Sequence, residues 1–452
     1  MVRSDKKIEL KRPSRIECNQ GTINIGRIPK RGGRKFLLSL KDFEKHVFIC
    51  GSTGTGKTNF LQNLLLNFSQ HHKIPFFLVE FKGEYHFLQE KIEDLLVLWP
   101  GENFSINLFD PGRSNPIIHA ERIFDILKSG KFLDDASGEF SPQMEKVLIE
   151  ILVEACQDEK KRNWQGFETC CKKYLAKNNR KIPMLGQTLI GIKNRIRRFS
   201  VGPLKKLFEG NNSIKRDELF RYNILLDLSS IIKLGGEKQD AFFFLNLILK
   251  YLWDLNLSRG ASNYSGVNHI IIIEDAQYFA PQNAMKKRKI TTYLEDIALL
   301  QRGTGECLVT LATRPDISEE ILANCGVLVA FKNHLERNYL SKLLNLETEK
   351  EDYFSLLEEG HCIVRVNSIN EPFLLKVPFI QRKTLNSEII KKNNINIQKK
   401  VIINRNKQNF KVLNENKSII TQEVVVLKND HKEDLKNLKA KVLALFEMQR
   451  RN

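Results

Sequence analysis

Nowhere does the chain run to the ~20 consecutive apolar residues that cross a bilayer, and Met1-Val2-Arg3-Ser4-Asp5-Lys6-Lys7 leads into no apolar signal core. A cytoplasmic protein with no membrane partner is the expectation. Cysteine is scarce for a disulfide or zinc scaffold. The eight residues Cys18, Cys50, Cys156, Cys170, Cys171, Cys307, Cys325 and Cys362 contain no C-x-x-C pair, and several lie inside apolar runs, so reduced and buried thiols are expected. The histidines are scattered as well. The adjacent pair His71-His72 has no Cys or carboxylate at ligand spacing and reads as a solvated helix end. No aromatic-rich stacking platform stands out, which argues against an RNA-type single-strand module. There is no tandem repeat.

Negative charge is also in deficit, with 53 Asp and Glu against 72 Lys and Arg. The shortfall is not spread evenly. Residues 1–46 hold 13 basic and 5 acidic side chains, residues 381–452 hold 17 and 7, and the middle is nearly balanced at 42 against 41. Basic ends attract polyanions, DNA or RNA among them.

What is present is an alternation of apolar strands and amphipathic helices. His46-Val47-Phe48-Ile49-Cys50 reads as a buried strand, followed by a Gly-rich loop and a helix from Thr58 to Gln70. Pro75–Glu80 is the next strand. Strand, loop, helix, strand begins a parallel α/β sheet. Residues 118–221 read as a helical insertion, with Ser141-Pro142 as a helix start and a second helix near 185–199 ending in Arg195-Ile196-Arg197-Arg198. The sheet resumes at Tyr222–Leu228 and continues through His269–Ile273, Glu306–Thr313 and Gly326–Phe331. Gly360–Val366 closes the core. The predicted organisation is a short basic β segment (1–45), the sheet core in two parts (46–117 and 222–380) around the insertion, a basic Asn/Lys-rich linker (381–430) and a C-terminal amphipathic helix (431–452).

Gly51-Ser52-Thr53-Gly54-Thr55-Gly56-Lys57-Thr58 fits G-x-x-x-x-G-K-[ST] between a strand and a helix, the setting in which that motif cradles phosphates. The glycines turn backbone N–H groups toward the phosphates, and the helix N-terminus adds partial positive charge. Lys57 would neutralise the β- and γ-phosphates, Thr58 would ligate Mg²⁺, and Asn59 continues the ATP-binding run. A P-loop ATPase also needs a carboxylate on Mg²⁺ and a group that activates water. Ile270–Ile273 followed by Glu274-Asp275 offers both at the carboxyl edge of a buried strand, where α/β sheets bind ligands. Glu274 is assigned to Mg²⁺ through water and Asp275 to the base, with the reverse assignment open.

With these pieces placed, the chain resembles the HerA/FtsK superfamily of hexameric DNA-pumping ATPases, and within it the HerA-like branch, over residues 22–380. Glu80-Phe81-Lys82-Gly83-Glu84-Tyr85 is similar to that branch's acidic-x-x-Gly-Glu-Tyr signature. Asn103–Leu108 resembles its next strand, and Ile224–Ser229 the strand before the second acidic motif. Glu274-Asp275-Ala276-Gln277 stands where the family has an acid pair. Gln301-Arg302-Gly303 and Leu311-Ala312-Thr313-Arg314-Pro315 match its sensor region. The resemblance implies a RecA-like core, a homo-hexameric ring, translocation on double-stranded DNA and, in some members, a partner nuclease of the NurA type or another effector. It implies a trans-acting arginine, for which Arg302, Arg314 and Arg365 are candidates. Met285-Lys286-Lys287-Arg288-Lys289 would supply phosphate contacts in the channel. Three departures stand out. Thr313 replaces the family's Gln, with less reach as a catalytic sensor. The acid pair is Glu-Asp rather than Asp-Glu. Only about 45 residues precede the P-loop, so the N-terminal barrel is expected to be truncated. Two other readings remain, a regulatory scaffold ATPase that activates an effector and a conjugation- or packaging-type DNA pump.

Overall fold

The computed structural model describes residues 8–29, 33–112, 114–129, 140–208, 214, 216–260, 266–282, 293–300 and 302–400. The chain divides into two compact units, Met1–Lys391 and Lys392–Asn452. All that follows concerns the first. The helix expected at 431–449 and the basic run 285–289 lie outside the described residues.

Runs of β-branched and aromatic residues form the strands of one 11-stranded sheet. In chain order these are β1 (Ile23–Arg27), β2 (Lys35–Leu38), β3 (His46–Cys50), β4 (Phe76–Glu80), β5 (Leu95–Leu98), β6 (Asn223–Asp227), β7 (His269–Ile273), β8 (Glu306–Ala312), β9 (Cys325–Phe331), β10 (His361–Val366) and β11 (Phe373–Lys376). The spatial order is β2-β1-β11-β10-β9-β3-β8-β7-β4-β6-β5. From β9 to β5 every pairing is parallel, so the carboxyl ends of seven strands share one edge. The other four strands add to β9 in antiparallel fashion. The central strands β3, β4, β7, β8 and β9 are buried along their whole length, as parallel strands covered on both faces must be.

Helix α1 (Lys57–His71) follows β3 and lays Phe60, Leu61, Leu64, Leu65 and Phe68 into the main core. Between β5 and β6 come α2 (Pro116–Ser129), α3 (Pro142–Gln157), α4 (Trp164–Asn178) and α5 (Leu185–Ser200). Ser141 caps α3 by accepting from Met144 N–H, with Pro142 in the first turn. A short helix α6 (Ser229–Lys233) and the long α7 (Lys238–Arg259) follow β6. All eight cysteines are buried. No described helix is long and apolar enough to cross a membrane.

Three expectations are corrected. Asn103–Leu108 is not a strand. The alternate apolar residues Phe104, Ile106 and Leu108 imitate one, but the backbone is spent on a turn, Gly101 N–H to Phe104 C=O at 2.7 Å, and on Ile106 N–H to Leu207 C=O at 2.8 Å. The strand of that region is β5. Residues 360–366 do not close the sheet, because β11 follows and carries β1 at its far side, in register at Arg27 and Lys376. Residues 387–391, read from composition as linker, are helical. Asn386 caps that helix through Glu388 N–H at 3.1 Å, and Ile390 anchors it in the core.

Candidate functional site

β3 delivers the chain to the carboxyl edge of the sheet at Cys50, and the next six residues turn back into α1. Two glycines are dictated by space. A Cβ on Gly51 would lie 2.5 Å from Phe331 Cβ, and one on Gly56, whose φ is 116°, would meet both Phe331 and Gly360. No side chain is tolerated where the loop crosses β9. Thr55 Oγ1 donates to Ser52 C=O at 2.8 Å and fixes the loop. Lys57 Nζ folds over it, donating to Gly51 C=O at 2.6 Å and Ser52 C=O at 2.9 Å. Burial lowers the Lys57 pKa below the ordinary lysine range, as expected of an ammonium held in a dry cradle.

β7 brings the acid pair to the same edge, one strand beyond β8. Glu274 is almost fully buried. Its Oε1 accepts from Tyr85 Oη at 2.9 Å and lies 3.3 Å from Thr58 Oγ1, across 216 residues of sequence. Burial raises the Glu274 pKa, partly offset by the Tyr85 donor and the Lys82 charge. Its Oε2 is buried with no hydrogen-bond partner. Asp275 adopts a left-handed conformation, φ 52°, which Asp tolerates better than most residues. That conformation aims its carboxylate at Lys82 Nζ, 3.1 Å away. Gln277 Nε2 donates to Asp275 Oδ1 at 3.4 Å and Thr313 Oγ1 at 3.3 Å, tying the acid pair to the end of β8.

Lys57, Thr58, Glu274, Asp275 and Thr313 therefore converge on one cleft of about 750 Å³, together with Thr53, Gly54 and Gly56. That volume lies within the ~300–1,000 Å³ of small-molecule sites. The donor set fits Mg²⁺ and phosphate. A hydroxyl and a carboxylate with an unsatisfied buried oxygen suit a hard cation, and a Gly-dictated loop with a lysine at a helix N-terminus suits an anion. Asn59 also lines the cleft, and its side chain holds the backbone of 378–380, through Pro378 C=O at 2.6 Å and Ile380 N–H at 2.8 Å.

Of the three arginine candidates, Arg314 follows β8 at the site edge and is exposed. Arg302 opens the turn before β8, and Arg365 stands near the end of antiparallel β10, so both lie toward the opposite edge. Lys286, Lys287, Arg288 and Lys289 lie outside the described residues. The basic run Arg195-Ile196-Arg197-Arg198 is structural in part, since Arg198 pairs with buried Asp240 at 2.7 Å.

Several residues at the cleft were given no role from sequence. Lys82, Glu84 and Tyr85 sit on the turn after β4, and that strand's carboxyl end was the signal that could have found them. The turn is held from below. Glu80 Oε2 accepts from Glu84 N–H at 2.8 Å, and Glu80 faces Asp227 in register across β4 and β6. Burial, then Asp227, pushes the Glu80 pKa well up. Burial works the other way on Asp227 than its donors do, and His86 and Ser229 win, leaving its pKa low. Arg27, Lys376, Phe379 and Arg382 also line the cleft. They arrive through the antiparallel extension and carry no local motif.

The model of the HerA helicase central domain matches residues 23–250. Among solved structures, VirB4 of Thermoanaerobacter pseudethanolicus superposes with a TM-score of 0.60 at 16% identity, over 80% of this chain and 98% of that one. The bacterial conjugative coupling protein TrwBdeltaN70 does so with a TM-score of 0.55 at 10% identity, over 84% and 97%. The plasmid coupling protein TrwB in complex with ADP and Mg²⁺ gives 0.54 at 11%, over 82% and 93%. At such identities these likenesses establish a shared fold. No curated protein sequence matches the chain. The P-loop, the acid pair at the end of β7 and the matched central domain agree: this chain belongs to the HerA helicase family.

Proposed function

We propose that the cleft binds ATP with Mg²⁺ and hydrolyses it, and that a homo-hexameric ring of this chain uses the reaction to move along double-stranded DNA. The observation that carries the first half is the 3.3 Å approach of Thr58 Oγ1 to Glu274 Oε1 beside Lys57, the pair of oxygens that holds the cation in a P-loop ATPase. Thr58 and Glu274 would hold Mg²⁺, Glu274 through water. Bound there, the ion would offset charge on the transferred phosphoryl group. Lys57 leaves its carbonyl partners to neutralise the terminal phosphates. Asp275 orients and deprotonates the attacking water once Lys82 yields it. Thr313, held by Gln277, hydrogen-bonds the γ-phosphate or that water. The relative TrwB in complex with ADP and Mg²⁺ supports the ligand assignment.

A second reading is favoured by one contact. The Lys82–Asp275 ion pair engages the very carboxylate that should act as base, which suits a slow ATPase whose ring activates a NurA-like nuclease or another effector. A conjugation-type pump shares the fold of TrwB and VirB4 and would use the same cleft. The deciding measurement is ATP hydrolysis with and without duplex DNA, for wild type, Lys57→Ala and Asp275→Ala. The motor reading expects hydrolysis stimulated by duplex DNA and abolished in both variants. Hydrolysis indifferent to DNA favours the scaffold, and full activity in Asp275→Ala removes the base assignment.

A further inference from the structure

Phe379 is the most exposed of the large apolar residues described, at 86%. A lone exposed Phe carries no meaning by itself. This one is held in place. Its segment leaves β11 and is stitched to the phosphate loop on both sides. Val377 N–H donates to Gly360 C=O at 2.8 Å, and Gly360 N–H donates to Thr55 C=O at 3.0 Å within the P-loop. Asn59, in the first turn of α1, grips Pro378 C=O and Ile380 N–H with the two ends of its amide. Val377 is buried and Ile380 packs against the core. With both flanks fixed inward, the ring between them is presented at the mouth of the cleft that Lys57 and Thr58 line.

We propose that Phe379 is the platform on which the base of the bound nucleotide stacks, and that Asn59 is the residue that positions it. This rests on the ATP reading above and adds where the base goes and how it is recognised. An exposed aromatic ring beside a phosphate cradle offers a flat π system a surface to stack on. An aromatic platform is also base-tolerant, because every base has a π face. The site therefore recognises a nucleoside triphosphate as a class, with the triphosphate supplying register and the ring supplying affinity. Asn59 couples the two halves, since it is adjacent to Thr58 and its amide decides where the Phe379 backbone lies.

The test is calorimetric titration of the full chain with the Mg²⁺ complexes of ATP, GTP and inorganic tripolyphosphate. Phe379→Ala is expected to bind ATP and GTP about 10- to 100-fold more weakly than wild type, the range for loss of one base–aromatic stack, with tripolyphosphate affinity unchanged. Phe379→Trp should keep nucleotide affinity, and Asn59→Ala should lose nucleotide affinity selectively. Unchanged tripolyphosphate binding also shows that the variants fold. The proposal is overturned if Phe379→Ala binds ATP within twofold of wild type, or if it loses ATP and tripolyphosphate equally. Lys57→Ala separates the two levels, since it should lose all three ligands. A wild type that binds none of them sinks the ATP reading and this one with it.

Discussion

At the scale of single residues, Glu274 and Tyr85 are a buried hydrogen-bonded pair at the cleft. Burial raises the Glu274 pKa, and the Tyr85 hydroxyl pulls it back by hydrogen-bonding the carboxylate. A carboxylate needed in ionised form makes activity rise with pH through its folded pKa. Removing the donor should shift that limb to higher pH. Tyr85→Phe is therefore expected to move the acid side of the kcat/KM profile upward by about one pH unit, the size of a modest change in one charge-assisted hydrogen bond. A profile superposable on wild type would show that Tyr85 is only packing. Glu80 is shifted in the same direction, and its consequence for stability runs opposite in pH. Its raised pKa means that the folded state keeps a proton the unfolded chain releases, so its contribution is complete below the unfolded carboxylate pKa and is lost as pH rises through the folded value. Glu80→Gln keeps an acceptor for Glu84 N–H and has nothing to ionise. Thermal melts between pH 5 and pH 9 should show a flatter dependence for this variant than for wild type.

At the scale of elements, what sequence could reveal was whatever repeats locally. β3, β7 and β8 were legible because buried parallel strands are near-continuous apolar runs, and α1 because Phe60, Leu61, Leu64, Leu65 and Phe68 keep helical spacing. β11 was not, since four residues, Phe373-Leu374-Leu375-Lys376, are too few to show a period, and its strand status depends on pairing with β10 and β1. The same holds for the site. Lys57, Thr58 and Glu274 announce themselves beside strand ends, whereas Arg27 and Phe379 reach the cleft through long-range pairing. The charge cluster at the end of α5 shows how an element reassigns a motif. Arg198 belongs to a run of basic residues in sequence, and in the fold it neutralises buried Asp240, which also accepts from Glu237 N–H at the start of α7. Arg198→Ala should lower unfolding stability by about 2 kcal/mol, the range for a hydrogen bond to a charged group. It should leave duplex-DNA affinity unchanged. A loss of DNA binding with an unaltered denaturation midpoint would place Arg198 at the DNA interface.

At the scale of the molecule, the open matter is whether sites are completed between subunits. A ring forms when a head-to-tail interface closes on itself, and in such a ring the arginine of one copy can reach the phosphates held by the next. Arg314 is exposed at the carboxyl edge that carries Lys57 and Glu274, so it is the candidate nearest to that role. Mixing two dead proteins decides between the alternatives. A Lys57→Ala subunit retains Arg314, and an Arg314→Ala subunit retains Lys57. If the arginine acts within its own chain, no mixture contains a complete site and hydrolysis stays absent. If it acts across the interface, random one-to-one mixing rebuilds about a quarter of the sites, those in which an intact Lys57 faces an intact Arg314. ATP turnover in the mixture should then recover to roughly that fraction of wild type, and rise in proportion when wild-type subunits are added. Recovery also requires exchange or co-assembly of subunits, so particle images of the mixture must show closed rings. Rings without recovered turnover would exclude Arg314 as the trans-acting residue and direct the same experiment to Arg302 and Arg365.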